Sequence, residues 1–326
     1  MSKSFYSLGL MSGTSGDGVD ASIIQSNGDT QYKVISDKYF EYNNDIYQSL
    51  FELKDKINNH EDFQNSIKEQ KKLENKITLF HADVVNKIIN DSKIEIDLIG
   101  FHGQTIYHNF NKKISKQLGD GKLLAKLSKK RVICDFRKND LENGGQGAPL
   151  TPIFHESLRD KIYSNSIPVI FINLGGIANV TCFHAINKFD ELMFAKDIGP
   201  GNCLIDEWIR KNSKKKYDKN GLIAKSGKTN ELILNQALDN FEGTFHNSLD
   251  IKDFDISFAR GLSLEDGAST ITNFTVEIIT TSLKKLLDKN KFNSGDYFFP
   301  NIVVCGGGRK NNYFVDLLRK KILEKI

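Results

Sequence analysis

Met11-Ser12-Gly13-Thr14-Ser15-Gly16-Asp17-Gly18-Val19-Asp20 lies between two apolar runs, Tyr6 to Leu10 and Ala21 to Ile24. Apolar run, cluster of Gly, Ser, Thr and Asp, then apolar run predicts strand, tight turn and strand. Glycine lets the backbone take positive φ and lets another group come close. The hydroxyls and backbone N–H groups of Thr14 and Ser15 suit phosphate oxygens. Asp17 and Asp20 repel phosphate, so a carboxylate here suits Mg²⁺ held through its waters. A plain polar hairpin turn fits the same ten residues equally well.

Two other glycine patterns are decoys. Gly16-Asp17-Gly18-Val19-Asp20-Ala21 matches G-x-G-x-x-A, but that fingerprint must open a helix. Ala21-Ser22-Ile23-Ile24 has no helical period. Gly227-Lys228-Thr229 resembles the end of a P-loop, yet position 222 is Leu where the motif needs Gly. The charged run before it, Lys214 to Asn220, is no buried strand.

The 326 residues suffice for two domains. Hydrophobic and charged shares of 39% and 26% are those of an ordinary globular protein. The net charge of +4 comes from 45 basic and 41 acidic residues, with part of the excess in short runs such as Lys214-Lys215-Lys216. No basic stripe is interleaved with aromatics, which argues against nucleic-acid binding. Cys134, Cys182, Cys203 and Cys305 form no C-x-x-C pair and read as small core residues in a reducing compartment. No run approaches the roughly 20 apolar residues of a membrane span, and the N-terminus has no signal-like apolar core. A cytoplasmic enzyme or ATP-driven machine fits these bounds.

Along the first half, strands are expected at Phe5–Leu10, Ala21–Ser26 and Tyr32–Tyr42. A charged helical region follows over 44–92, with apolar positions at Leu73, Ile77, Phe80, Val84 and Ile88. A strand at Ile96–Phe101 runs into His102-Gly103-Gln104-Thr105. A short helix over Lys122–Leu127 and a strand at Arg131–Phe136 complete a β-β-β-α-β-α-β order, that of a ribonuclease H-like half. The second half opens with Pro168–Asn173, turns at Gly175-Gly176 and returns through Val180. A third strand, Leu192–Lys196, precedes Asp197-Ile198-Gly199-Pro200-Gly201-Asn202. Helices follow from near 202, over 229–240 and over 265–290. A strand at Asn301–Val304, the glycines 306–308 and a helix from about 311 to the end close the chain. Both halves open with strand, glycine turn, strand. The expected fold is therefore α/β: two ribonuclease H-like domains, 1–150 and 151–326, with a central cleft.

Three glycine turns in this order resemble the actin-like ATPase and sugar-kinase superfamily: phosphate-1 at 11–20, phosphate-2 at 173–181 and an adenosine motif at 303–308. The strings MSGTSGDGVD, FHGQTI, DFRKND, GGQGAPLTP, INLGGIANVT, DIGPGNCLID and VCGGG resemble the anhydro-N-acetylmuramic acid kinase family along nearly the whole chain. The resemblance implies an enzyme that uses ATP and Mg²⁺ to phosphorylate 1,6-anhydro-N-acetylmuramic acid. Water opens the anhydro ring in the same reaction, giving N-acetylmuramate 6-phosphate in cell-wall recycling. It also implies a homodimer. The chain departs from the pattern in two places. Position 16 is Gly where the family usually has Leu, which is expected to loosen the turn. The chain also stops at Ile326 within a helix, whereas the family continues for a few tens of residues, so a truncated C-terminus is expected.

The resemblance places the catalytic aspartate at Asp197, as the base that takes a proton from water. A turn or helix N-cap Asp is the bland alternative, since a helix starts nearby. Ser12, Gly13, Thr14, Ser15, Gly16, Asp17, Gly18 and Val19 would hold the β- and γ-phosphates, with Asp17 on the metal through water. Gly175, Gly176 and Asn179 would form the second clamp, or simply a tight hairpin. Gly306, Gly307 and Gly308 would let the adenosine lie on backbone. His102, Gln104 and Arg137 are expected at the sugar, with Arg137 forking onto its lactyl carboxylate. The alternatives are a satisfied buried His102 and an Arg137–Asp140 ion pair. Asp120 and His155 read as structural, and the other histidines carry no informative spacing. A chaperone- or filament-type ATPase on the same core, and a binding-only homologue, are the competing readings.

Overall fold

Side chains alternate between the two faces of a strand, so one covered face buries every second residue. The first strand, β1 (Phe5–Ser12), follows this rule: Leu8, Leu10 and Ser12 are buried while Gly9 and Met11 are exposed. The computed structural model describes residues 3–29, 31–163, 168–183, 193–241, 249–289 and 300–326. The chain divides into two compact units, Met1–Leu150 and Thr151–Ile326.

In the first unit, β1 pairs antiparallel with β2 (Gly18–Ser26), and β2 pairs likewise with β3 (Tyr32–Glu41). Helices α1 (Asn44–Lys56), α2 (His60–Asn65) and α3 (Ile67–Ser92) follow. Strand β4 (Leu98–Asn109) lies parallel to β1. Its first residues also pair with β6 (Arg131–Ile133) and its last with β5 (Ile114–Leu118). Helix α4 (Gly121–Ser128) joins β5 to β6, and α5 (Lys138–Glu142) comes after it. The sheet order is β3-β2-β1-β4-β5, with β6 beside β4. The apolar stripe of α3, Leu73, Ile77, Val84, Val85 and Ile88, shares one core with Leu8, Leu10 and Ile23. Asp120 accepts from the N–H groups of Lys122 and Leu123 and caps α4, the structural role expected of it.

The second unit starts with α6 (Pro152–Ile162) and then β7 (Val169–Leu174), β8 (Ile177–Phe183) and β9 (Met193–Pro200). Helices α7 (Cys203–Asn212), α8 (Leu222–Ser226), α9 (Glu231–Asp239) and α10 (Leu264–Lys289) precede β10 (Asn301–Cys305) and α11 (Asn312–Lys325). The sheet order is β10-β7-β8-β9: two antiparallel pairs, then β10 parallel to β7. The first four strands of the first unit have the same order and directions. Each unit is thus built on the meander-plus-parallel-strand arrangement expected of a ribonuclease H-like half. Both faces of β7 are covered. Ile170 and Ile172 pack in the core with α7 and α10 residues, whereas Val169 and Phe171 pack with Leu158 of α6. That is why VIFINL is apolar without a break.

The strand ends differ from expectation. β1 and β2 run on to Ser12 and back from Gly18, so the turn shrinks to 13–17. β6 stops at Ile133 instead of Phe136, ahead of Asp135 at φ +58°. Residue 192, taken as a strand start, and residue 290, taken as a helix end, lie outside the described residues, as do residues 184 and 246.

Candidate functional site

In the first unit the hairpin tip is closed by the Gly16 N–H donating to the Gly13 carbonyl, 3.1 Å. Gly16 sits at φ +65°, and a Cβ there would lie 2.7 Å from Leu50 Cδ2 of α1. The glycine therefore admits a helix against the turn. This corrects the expectation that Gly16 loosens it. The Asp17 carboxylate accepts from Ser15 Oγ at 2.5 Å, and the Asp17 carbonyl accepts from the Tyr42 N–H at 2.9 Å. Burial, and next the charge of Asp17 and a hydrogen bond to it, push the Tyr39 phenol well above its ordinary range. Besides Tyr39 at Asp17, two side chains from other elements hold the turn's carbonyls among the described residues. Gln104 Nε2 donates to the Gly13 carbonyl and Lys54 Nζ to the Thr14 carbonyl, each at 2.8 Å.

Beneath the turn is a buried chain of hydrogen bonds that sequence reading missed. His81 Nδ1 is 2.8 Å from the Ile77 carbonyl, so Nδ1 carries the proton and Nε2 accepts from Ser12 Oγ, 3.1 Å away. Ser12 Oγ in turn accepts from the Tyr42 hydroxyl, 2.9 Å away. Burial drives His81 down to about 4, which keeps the ring neutral. The signal was present: His81 stands four residues after Ile77 on the apolar stripe of α3. Two expectations are narrowed here. The Ser12 hydroxyl is turned inward, and Val19 is a fully buried core residue, so neither side chain faces a nucleotide.

His102 and Gln104 lie inside β4, not at its end, because β5 gives the strand a partner beyond Phe101. His102 Nδ1 donates to the Gly103 carbonyl at 2.7 Å, and its Nε2 accepts from Arg137 Nε and Nη2 at 3.2 and 3.0 Å. Burial and then the Arg137 cation lower His102 to about 4, with the Gly103 carbonyl opposing. Arg137 Nη1 also donates to the Gly147 carbonyl, 2.6 Å. Asp140 accepts from the Gly147 N–H, so in place of the alternative Arg137–Asp140 pair there is a clasp joining three motifs. Gln104 is wholly buried; its Nε2 donates to the Gly13 carbonyl and so ties β4 to the turn, while its Oε1 has no hydrogen-bond partner.

In the second unit the glycine turns converge on the end of β7. The N–H groups of Gly201 and Asn202 donate to the carbonyls of Gly176 and Gly175, both at 2.8 Å. A Cβ on Gly306, at φ +81°, would meet Asn173 Oδ1 at 2.5 Å, and one on Gly308 would meet Leu174 Cβ at 2.7 Å. Gly307 has nothing within 4 Å of that position, leaving backbone open to an approaching group. Gly307 and Gly308 open a short 3₁₀ turn, Gly307–Lys310, and α11 begins at Asn312, close to the expected start near 311.

Register sets one polar row across this sheet. Cys305 pairs with Asn173, Asn173 with Asn179, and Asn179 with Asp197. Directly paired residues project to one face, so the row brings Asp197 beside Asn179, which sequence reading had on separate motifs. A bulge between Ala178 and Asn179 adjusts the local direction. Asp197 lies within β9, where its Oδ2 accepts from the Leu249 N–H at 2.8 Å. Asn202, not Asp197, is the N-cap residue of α7, which removes the capping alternative. His155 stacks on Phe171 and contacts Thr181 Oγ1 at 2.9 Å, a structural role as expected.

A carboxylate on a rigid strand can take a proton, and a glycine turn with a pinned backbone can bind an anion. Comparison with known proteins gives that chemistry a context. The family profile "Anhydro-N-acetylmuramic acid kinase" matches residues 5–325. A relative of that name from Pelagibacter ubique is 51% identical over all of this chain and 86% of its own length. Another, from Agrobacterium fabrum, is 34% identical over 95% of this chain and 82% of its own length. Among solved structures, the chain has a TM-score of 0.40 and 11% identity to the activator of the 2-hydroxyisocaproyl-CoA dehydratase from Clostridium difficile. That alignment covers 99% of this chain and 86% of the other.

Proposed function

The chain belongs to the anhydro-N-acetylmuramic acid kinase family, and on that premise we propose that it phosphorylates 1,6-anhydro-N-acetylmuramic acid from ATP with coupled opening of the anhydro ring. Water adds to C1, the C1–O6 bond breaks, and O6 bonds the γ-phosphorus as ADP leaves. The product is N-acetylmuramate 6-phosphate, and the setting is peptidoglycan recycling in the cytoplasm. The family match over residues 5–325 is the observation that carries this reading. A chaperone- or filament-type ATPase has no observation in its favour.

Asp197 takes the proton of the attacking water; the Leu249 N–H bond to its Oδ2 orients the carboxylate for that task. Phosphoryl transfer depends mostly on positioning and charge stabilisation. The turn at Gly13, Thr14, Ser15, Gly16, Asp17 and Gly18 supplies backbone donors for the β- and γ-phosphates. Gly175, Gly176 and Asn179 form the second clamp, and Gly306, Gly307 and Gly308 accept the adenosine. His102 and Arg137 shape the sugar side. No group of three or more metal-ligating side chains occurs among the described residues. That suits Mg²⁺, which is commonly held by one or two carboxylates plus phosphates. Asp17, steadied by Ser15 and Tyr39, is the carboxylate that would hold it through water, and the ion would neutralise phosphate charge. The protein is proposed to act as a homodimer, which sedimentation equilibrium checks.

The deciding experiment is turnover in ¹⁸O-water with ATP and the anhydro-sugar, read by mass spectrometry. Label at the anomeric carbon together with phosphate on O6 supports the coupled reaction. Phosphorylated sugar with an intact anhydro bridge, or ATP hydrolysis without any phosphosugar, rules it out.

A further inference from the structure

Lys54 and Gln104 come from different elements, α1 and β4, yet they hold successive carbonyls of the same turn. Gln104 Nε2 holds the Gly13 carbonyl and Lys54 Nζ the Thr14 carbonyl, both at 2.8 Å. In a trans peptide the C=O and the following N–H point to opposite sides. Pinning the Gly13 carbonyl therefore sets the direction of the Thr14 N–H, and pinning the Thr14 carbonyl sets that of Ser15. We infer that Lys54 and Gln104 are positioning residues for the phosphate-binding turn, each orienting one of two adjacent N–H donors toward the nucleotide. The inference rests on the reading that this turn receives the phosphates.

Three further observations support it. Gln104 is wholly buried, and its Oε1 has no hydrogen-bond partner. A buried orphan oxygen is costly, and an apolar side chain would avoid that cost. What the amide supplies in return is the bond from Nε2. Lys54 is fixed as well: its ammonium lies 5.7 Å from the Phe51 ring centroid, a cation–π arrangement. Gly16 completes the device, since its missing Cβ is what lets Leu50 and Phe51 of α1 close on the turn and bring Lys54 within reach. The turn's own hydrogen bond, Gly16 N–H to Gly13, does not fix the Thr14–Ser15 peptide; the outside donor does. The Lys54 charge also lies beside a turn whose own titratable groups are acidic.

The test compares Lys54→Met, Lys54→Arg, Gln104→Leu and Ser15→Pro in the full chain. Calorimetric Kd for a non-hydrolysable ATP analogue and KM for ATP and for the anhydro-sugar are the readouts. Lys54→Met and Gln104→Leu are expected to weaken nucleotide binding about five- to tenfold each, the loss of one hydrogen bond from a charged or buried donor. KM for the sugar should stay within about twofold, and Lys54→Arg should recover most of the nucleotide affinity. Lys54 is half-exposed, so its pair of variants reports even where Gln104→Leu fails to fold. Nucleotide affinity unchanged in Lys54→Met while Ser15→Pro binds poorly overturns the positioning role and leaves the phosphate reading standing. Normal binding in Ser15→Pro, which lacks the N–H itself, overturns the phosphate reading. Equal losses for nucleotide and sugar in Lys54→Met also count against the positioning role.

Discussion

Asp197 carries the largest single prediction. Replacing it with Asn keeps the size and the bond from Leu249 but removes the base. Turnover should fall by at least about a hundredfold, the usual contribution of a general base, with nucleotide affinity unchanged by calorimetry. Near-normal rates would take the base role from this residue. Gly16 is the second case. Adding a Cβ at φ +65° and 2.7 Å from Leu50 should destabilise the protein by about 1–3 kcal/mol. Urea denaturation of Gly16→Ala measures this, and an unchanged midpoint would show that the turn shifts freely. At this scale the legible part was chemical type: glycine, hydroxyl and carboxylate in the right strings. Lys54, His81 and Asn173 were not recognised, because each acts through a partner 40 to 132 positions away.

Among the elements, β4 shows what pairing does to a strand. Its apolar run suggested a strand ending at Phe101, but β6 supports its first residues and β5 its last, so it continues to Asn109. The consequence is that His102 and Gln104 are buried within a sheet, where both ring nitrogens of His102 are hydrogen-bonded and Gln104 bonds backbone through Nε2 alone. Helix α10 gives a test of packing against propensity. Gly267 lies inside it, where Ala is favoured by about 1 kcal/mol on helix propensity. A Cβ there would, however, lie 2.1 Å from Trp208 Cζ2, and that indole is anchored by its Nε1 bond to the Leu264 carbonyl, 2.9 Å. The ring cannot swing aside cheaply, so overpacking of about 1–3 kcal/mol should win. Gly267→Ala should therefore lower the melting temperature, and a rise would mean that propensity dominates.

For the whole molecule, acid stability is set by buried neutral imidazoles. His81 and His102 are held at about 4, chiefly by burial, against 6.5 for the free side chain, and burial lowers His155 as well. Between pH 6.5 and 4 the unfolded chain binds protons that the folded chain refuses. Stability should thus be intact above about pH 6.5 and fall as pH drops toward 4, by up to about 3 kcal/mol for each of the first two. Urea unfolding at pH 7 and pH 5 should differ by several kcal/mol, and His81→Gln should flatten the slope; equal stability at the two pH values would refute the assignment. What the sequence determined alone was local and periodic: the apolar runs, the helical stripe of α3, the glycine turns and the family they resemble. These depend on neighbours within a few residues, so they can be read along the chain. Only the tertiary structure decided that α1 closes on Gly16, that Arg137 clasps His102 instead of Asp140, and that Asn173, Asn179 and Asp197 stand in one row. Those outcomes follow from strand register and from which distant donor reaches which carbonyl, and no local pattern of residues encodes either.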